Sequence, residues 1–132
     1  LEDAASELKT LAADLDKGTL RTARHLDRAI AKADHALAEW HYFNAKDHIG
    51  QDEEKWAAKD LQAAAHHLQS AADSAKYEFG SETLTVFDAI DKNGKMVDEG
   101  LTIQRNQLSD NLQAIEREVQ KLGDTLKVAG DK

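Results

Sequence analysis

The sequence predicts an all-α protein, an antiparallel bundle of three to four long helices with coiled-coil-like packing. None of its 132 residues is proline, a residue that makes up about 5% of ordinary proteins. A proline inside a helix removes a hydrogen bond and clashes with the preceding turn, so a chain built of long helices excludes it. The larger apolar residues recur at spacings of three and four from Leu1 to Leu126, which places them on one face of a helix. Seven-residue spacing after Leu101 adds the pattern of coiled coils.

Composition limits the class of protein. A chain of 132 residues fits one domain, which we assign to residues 1–132. Its 17 basic and 25 acidic side chains give a net charge of -8, which opposes the approach of phosphates, so we expect no nucleic-acid partner. There is no cysteine and therefore no disulfide or cysteine-ligated metal. No apolar run approaches the roughly 20 residues that span a bilayer, so we predict no transmembrane segment.

The first apolar stripe predicts one helix from about residue 3 to residue 45. Its members advance by three or four positions each time: Leu8, Leu11, Leu15, Thr19, Ala23, Leu26, Ile30, Ala33, Leu37 and Trp40. At the angular spacing of an α-helix they form a single face. The unbroken phase across Gly18 favours one continuous helix. The alternative is a left-handed cap at Gly18, with Thr19 capping the next helix.

A turn and a second helix follow. The stretch from Asn44 to Gln51 contains Asn, Asp and Gly, and three acidic residues come directly after it. Acidic residues favour the positive end of a new helix, so we place the turn of a helical hairpin here, centred near His48. The second helix then runs from about Asp52 to Phe79. Its apolar face is rich in alanine, and small side chains allow helix axes to approach closely.

A third helical segment begins after Gly80 and Ser81, which indicate a helix end and a new N-cap. Its later part has two sets of residues spaced by seven: Leu101, Leu108, Ile115 and Leu122, and then Leu112, Val119 and Leu126. Between Asp91 and Gly100 the path of the chain is open. Asn93-Gly94 is a turn signal and Gly100 a second break, so either one long helix kinks there or two helices meet.

The length of these helices predicts self-association. Whether the third segment kinks or folds back, a three-helix bundle leaves apolar stripes uncovered, in particular the one from Leu108 to Leu126. A four-helix arrangement or a second copy of the chain would cover them. We therefore expect a homo-oligomer.

Six histidines raise the hypothesis of a metal site. His35 and Glu39 lie four residues apart on one helical face, as two ligands of one ion require, although that face points away from the apolar stripe. His41 lies close to the stripe, where a hydrogen bond across the hairpin is the simpler interpretation. No histidine follows an acidic residue by three positions, so the signature of di-iron bundles is absent. His35, Glu39 and His41 are the metal-ligand candidates, and we predict no cofactor.

A row of basic residues is the candidate interaction surface. Five of them recur at spacings of three and four on the helix face opposite the apolar stripe: Lys17, Arg21, Arg24, Arg28 and Lys32. Such a stripe can dock an anionic surface: an acidic helix of a second subunit, phospholipid headgroups or another, acidic protein. A solvated face beside Asp14 and Asp27 is the alternative.

No motif for catalysis or for nucleic-acid binding is present in the sequence. We predict a non-enzymatic scaffold or protein-interaction module that self-associates. A small-ligand or metal-binding four-helix bundle is the alternative. Because the first residue is Leu and not Met, we also expect a trimmed chain or an exported, periplasmic one.

Overall fold

The computed structural model describes residues 2–16 and 23–130, which form five α-helices. These are α1 (Glu2–Asp16), α2 (Ala23–Gly50), α3 (Glu54–Ala75), α4 (Ser81–Asp98) and α5 (Arg105–Gly130). The described residues contain no β-strand, which confirms the all-α prediction, but the helices number five and not three to four. None of the described helices has an apolar stretch long enough to cross a bilayer.

α2 and α3 form an antiparallel hairpin whose turn spans residues 51–53. The predicted turn from Asn44 to Gln51 is wrong, because α2 continues to Gly50. The buried face of α2 extends into this stretch through three residues at helical spacing: Tyr42, Ala45 and Ile49. Burial of that face outweighs the turn preference of the polar residues between them. The chain reverses at Asp52, whose φ of 60° is left-handed, a conformation that aspartate tolerates better than most residues.

α3 ends earlier than the sequence indicates. The prediction extends it to Phe79, but the helix ends at Ala75, and Lys76 takes the left-handed conformation with a φ of 58°. The N–H groups of Lys76 and Tyr77 donate to carbonyl oxygens of the last turn, which satisfies acceptors that a helix end leaves unpaired. α4 begins after Gly80, as predicted, but Gly80 is itself the N-cap residue and Ser81, the predicted N-cap, is the first residue of the helix.

α4 runs antiparallel to α3 and passes through Asn93-Gly94 without a break. The turn predicted from that pair is wrong, and the chain reverses around Gly100, where φ is 78°. Of the two alternatives for this stretch, two helices meet and no long helix kinks. Gly94 lies so close to α3 that a Cβ atom there would overlap the end of the Gln62 side chain. This glycine therefore serves close helix packing and not a turn.

α5 returns along the hairpin and packs against both α2 and α3. At its start, Arg105 donates to the Ile49 carbonyl oxygen at 3.0 Å and pairs with Asp52. Further along, the Val119 carbonyl oxygen lies 2.8 Å from Nε2 of His35. These contacts make α5 antiparallel to α2, so α2 to α5 form an up-and-down arrangement of four helices.

The heptad stripe of α5 is buried inside the chain. Leu108, Ile115 and Leu122 are fully buried, in one core with residues of α2, α3 and α4. The prediction of self-association rests on this stripe having no partner. Because α2 and α3 cover it, that reason does not hold, and self-association stays a prediction without this support.

α1 lies against α2 and, within the described part of the chain, against no other helix. The first part of one straight helix cannot touch its second part, so the prediction of a continuous helix from residue 3 to 45 is wrong. Gly18, the alternative break, lies outside the described residues. Ala4 is buried, whereas Leu8 is 43% exposed. α1 is therefore a partly covered addition to the four antiparallel helices.

Candidate functional site

An open groove runs along the surface between α3 and α4. Its volume is about 660 Å³, and a second depression of about 440 Å³ continues it to the connection between the two helices. The α3 wall has residues at helical spacing, and the α4 wall faces it: Lys59, Gln62, His66, Gln69 and Asp73 on α3, and Leu84, Asp88 and Asp91 on α4.

The groove is apolar at its centre and acidic around it. Leu84 borders both depressions and is 51% exposed, while Ala63 and Phe87 lie in the groove with it. Lys59, the lysine of the lining, donates to Gln62 at 2.9 Å and to Asp98 at 3.1 Å, so its charge is already paired. Carboxylates line the groove from both walls and from the connection: Asp73, Glu78, Asp88 and Asp91.

Asp91 links the two walls of the groove. Its carboxylate accepts from Nε2 of Gln62 at 3.0 Å and pairs with Nζ of Lys95 at 3.0 Å. The hydrogen bond from Gln62, and then that from Lys95, lowers the pKa of Asp91, and the same ion pair raises the pKa of Lys95. Asp91 is therefore ionised at neutral pH, and its negative charge belongs to the groove.

A second polar feature, which we call the histidine ladder, joins α2 to α3. It consists of three histidine–carboxylate pairs: Asp34 with His67, His41 with Asp60, and His48 with Glu53. In the first two pairs the histidine Nδ1 lies 3.0 Å from a carboxylate oxygen. In the third, Nδ1 lies 3.5 Å from Oε1 of the glutamate.

Neighbouring pairs of the ladder contact one another. The rings of His41 and His67 stack with centroids 5.7 Å apart and planes at 9°. The second carboxylate oxygen of Asp60, Oδ2, lies 3.4 Å from Nε2 of His48. Ser70 donates to Asp34 at 2.7 Å at the other end. The ladder is therefore one connected set of polar groups along the α2–α3 interface.

The ladder has a seven-residue period. Three of its residues are spaced by seven along α2, and the other three are spaced by seven from the N-cap residue of α3 into that helix: Asp34, His41 and His48, and then Glu53, Asp60 and His67. In antiparallel helices such rows face each other, so the pattern is a signal that the sequence contains. The predicted hairpin turn, centred near His48, lies about one helical turn before the actual turn at residues 51–53 and would bring the two rows out of register.

His35 and His41, two of the metal-ligand candidates, have different neighbours. His35 contacts α5, where its ring also lies against Gly123. His41 makes the hydrogen bond across the hairpin that the sequence indicates, and Glu39 is half-buried on α2. Among the side chains that the structure describes, no three of His, Asp or Glu are grouped so as to hold a metal ion.

Only part of the basic stripe can be located. Lys17 and Arg21 lie outside the described residues, as does the side chain of Arg24. Arg28 and Lys32 are half-buried on α2. The interaction surface predicted from these five residues therefore stays a prediction.

Ser70, the hydroxyl group within the ladder, donates to the carboxylate of Asp34. The contacts that join the residues of the ladder are hydrogen bonds and ion pairs. Compared with protein-family models, with curated proteins and with solved structures, the chain has no match.

Proposed function

We propose that the protein is a non-enzymatic interaction module that binds a basic amphipathic helix in the groove between α3 and α4. The observation that carries this proposal is Leu84, a half-exposed leucine at the centre of a groove lined by carboxylates. An exposed apolar side chain in a concave surface lets an apolar residue of a partner be buried against it. Proteins bind amphipathic helices in grooves of this kind.

The dimensions of the groove suit a helix. From Lys59 to Asp73 the α3 wall is about 21 Å long, at 1.5 Å of rise per residue. A partner helix of about four turns would lie along it. Ala63 and Ala72 lie on the α3 side, and such small side chains allow a second helix axis to approach.

The charges of the groove favour a basic partner. On α4, Nζ of Lys92 lies 3.2 Å from Asp88, and that of Lys95 lies 3.0 Å from Asp91. These pairs are exposed, and exposed pairs contribute little to stability, so a partner's lysine or arginine can take the place of either lysine. The net charge of -8 adds a long-range attraction for a basic segment.

This interaction role is the one that the sequence predicts, but the surface that would carry it is the groove and not the basic stripe. The basic stripe would recruit an acidic partner, but Lys17, Arg21 and the side chain of Arg24 lie outside the described residues. The groove is described completely along both of its walls, and its charge selects a partner of the opposite sign.

Fluorescence anisotropy with a labelled synthetic peptide tests this function. The probe is a helix of about 14 residues, matched to the length of the groove, with leucines on one face and lysines on the other. A matched peptide carries glutamate in place of each lysine. We expect the basic peptide to bind, the acidic peptide not to bind, and added NaCl to weaken the binding.

Leu84→Asp is the variant that distinguishes binding in the groove from non-specific electrostatic attraction between the acidic protein and the basic peptide. It places a charge where the apolar face of the peptide would be buried, so we expect the affinity to fall at least about ten-fold. Leu101→Asp is the matched control, because Leu101 is 47% exposed against 51% for Leu84 and lies outside the groove. Equal binding by the two variants, or equal binding of the two peptides, would contradict the proposal.

A further inference from the structure

The depression at the connection between α3 and α4, which we call the aromatic depression, has a volume of about 440 Å³. Tyr77 and Phe79 of this connection line it, and both are half-buried. Its other lining residues are an amide, two apolar side chains and two exposed acidic ones: Gln69, Ala72, Leu84, Asp73 and Glu78. The aromatic depression therefore combines accessible ring surface with negative charge.

The two rings of the depression stand nearly at right angles. The ring centroids of Tyr77 and Phe79 are 5.3 Å apart, and the ring planes make an angle of 76°. Two rings in this arrangement form a corner, in which one bound group can contact both. The face of an aromatic ring carries partial negative charge, so a cation within about 6 Å of the ring centroids is attracted to it.

The end of α3 and the core hold this corner in place. The N–H group of Tyr77 donates to the carbonyl oxygen of Ala72 at 2.8 Å, a bond typical of a helix that ends in a left-handed residue. The rings of Phe79 and Phe87 meet edge to face, with centroids 4.9 Å apart and planes at 89°, and Phe87 is buried. Because the corner exists before a ligand arrives, little conformational freedom is lost on binding.

The charge and the apolar surface of the depression together favour one kind of cation. Among the described residues that line it, none is basic, and Asp73 and Glu78 are exposed. An unmodified ammonium group is strongly hydrated, so it would stay in water beside these carboxylates. A methylated ammonium group has the same charge, but its methyl groups can be buried against the rings and Leu84.

We propose that the aromatic depression binds a methylated ammonium group. Tyr77 and Phe79 contact its methyl groups, while Asp73 and Glu78 attract its charge. Aromatic side chains recognise quaternary ammonium ligands in this way. The group belongs either to a free trimethylammonium compound or to a trimethylated lysine of a protein partner. The inference does not rest on the proposed binding of a helix, because its first test uses no peptide.

An NMR titration of the unaltered chain with choline is that first test. The matched ligand is dimethylbutanol, in which a carbon atom replaces the nitrogen of choline, so that the shape is kept and the charge is lost. At constant ionic strength, we expect choline to shift the backbone amide signals of Tyr77, Glu78 and Phe79 saturably. Its affinity should exceed that of dimethylbutanol at least about ten-fold. Equal affinities, or shifts at exposed acidic residues throughout the chain, would overturn the proposal.

Two variants, each with a matched control, assign the binding to the depression. Phe79→Leu removes one ring and should lower the affinity for choline at least about five-fold. Phe43→Leu, its control, should not, because Phe43 is 52% exposed on α2 and lies outside the depression. Glu78→Gln should lower the affinity about two-fold or more.

Glu99→Gln is the control for Glu78→Gln. Glu99 is also exposed and lies at the other end of α4, so the net charge changes equally and the affinity for choline should stay the same. Full affinity in a folded Phe79→Leu variant would overturn the proposal. If that variant does not fold, equal affinities in Glu78→Gln and Glu99→Gln would overturn it.

The basic peptide of the anisotropy experiment distinguishes the two sources of the group. It is compared with peptides that carry a trimethylated lysine at either end. A gain in affinity that Phe79→Leu abolishes would support the depression as a site for a methylated lysine of a partner. No gain, with choline still bound, would support a free trimethylammonium compound as the ligand. If choline binds and the unmodified peptide does not, the helix proposal alone fails.

Discussion

Lys76 has the left-handed backbone conformation directly after α3, with a φ of 58°. A residue with a Cβ atom is disfavoured there by roughly 1 to 2 kcal/mol, and glycine is the usual occupant of this position. We predict that Lys76→Gly raises the free energy of unfolding by about 1 kcal/mol in urea titrations. Lys76→Ala is the control, because it removes the charge but keeps Cβ and should not stabilise. A loss of stability in Lys76→Gly would contradict the prediction.

Tyr42 is a buried residue of α2 whose hydroxyl lies near Glu116 of α5. Burial, and then the hydrogen bond and the negative charge of Glu116, raise the pKa of Tyr42. A folded-state pKa above the unfolded value means that the stabilising contribution is complete below the unfolded pKa of about 10 and is lost as the pH rises above it.

Glu116→Gln should therefore lower the pKa of Tyr42, because it removes the negative charge of Glu116 that contributes to the upward shift. The measurement is an ultraviolet titration of tyrosinate in a Tyr77→Phe background, since the chain has 2 tyrosines. The free energy of unfolding should also fall less steeply with pH above about 10 in this variant. An unchanged tyrosinate midpoint would show that Glu116 does not contact the hydroxyl.

The buried polar residues of the described helices lie on α4 and α5. Thr83 of α4 donates to the buried Glu118 of α5 at 2.9 Å. Asn111, which is seven residues before Glu118 and so on the same face of α5, is buried with no partner for Nδ2. Asn93 of α4 is likewise buried with its Nδ2 unpaired. Buried amides of this kind cost stability and can fix the register of a helix pair.

Asn111→Leu should raise the free energy of unfolding by about 1 to 2 kcal/mol, because it replaces an unpaired buried amide by an apolar group of similar size. Gln113→Leu is the matched control on the exposed side of α5, and we expect it to change stability by less than about 0.5 kcal/mol. Thermal and urea unfolding measure the change in the free energy of unfolding for both variants. Destabilisation by Asn111→Leu would show that the amide is satisfied in the folded protein.

Helices are the level at which the sequence is most informative. The three- and four-residue spacing correctly indicates the apolar face of α5, since Leu108, Ile115 and Leu122 are all fully buried. Turns are less predictable, because burial of Ile49 and close packing at Gly94 outweigh local turn preference. The groove could not be predicted at all. It depends on how α3 and α4 lie side by side, which spacing within one helix does not determine.

In the whole molecule, α3 is the element that the groove and the histidine ladder share. His67 belongs to the ladder and also lines the groove, and its neighbour His66 lines the groove as well. α3 contacts α2, α4 and α5, whereas α1 contacts α2 alone among the described helices. The groove and the histidine ladder are therefore both built on α3, which packs against three helices, whereas α1 packs against one.

The order of the helices also determines how the chain should fold. α2 to α5 follow one another as antiparallel neighbours joined by short connections, and bundles with such local contacts fold in microseconds to milliseconds. The slow phases of tens of seconds that many proteins show come from proline isomerisation. Since the chain has no proline, we predict that refolding after dilution from urea is complete without such a phase.

A double-jump stopped-flow experiment tests this prediction. The chain is unfolded for delays from about one second to several minutes, a range that covers proline isomerisation, and is then refolded. The amplitudes should not depend on the delay. A slow phase that grows with the unfolding delay would contradict the prediction. A slow phase whose rate rises with protein concentration would instead come from the assembly of subunits. Such a phase would support the self-association that the sequence predicts.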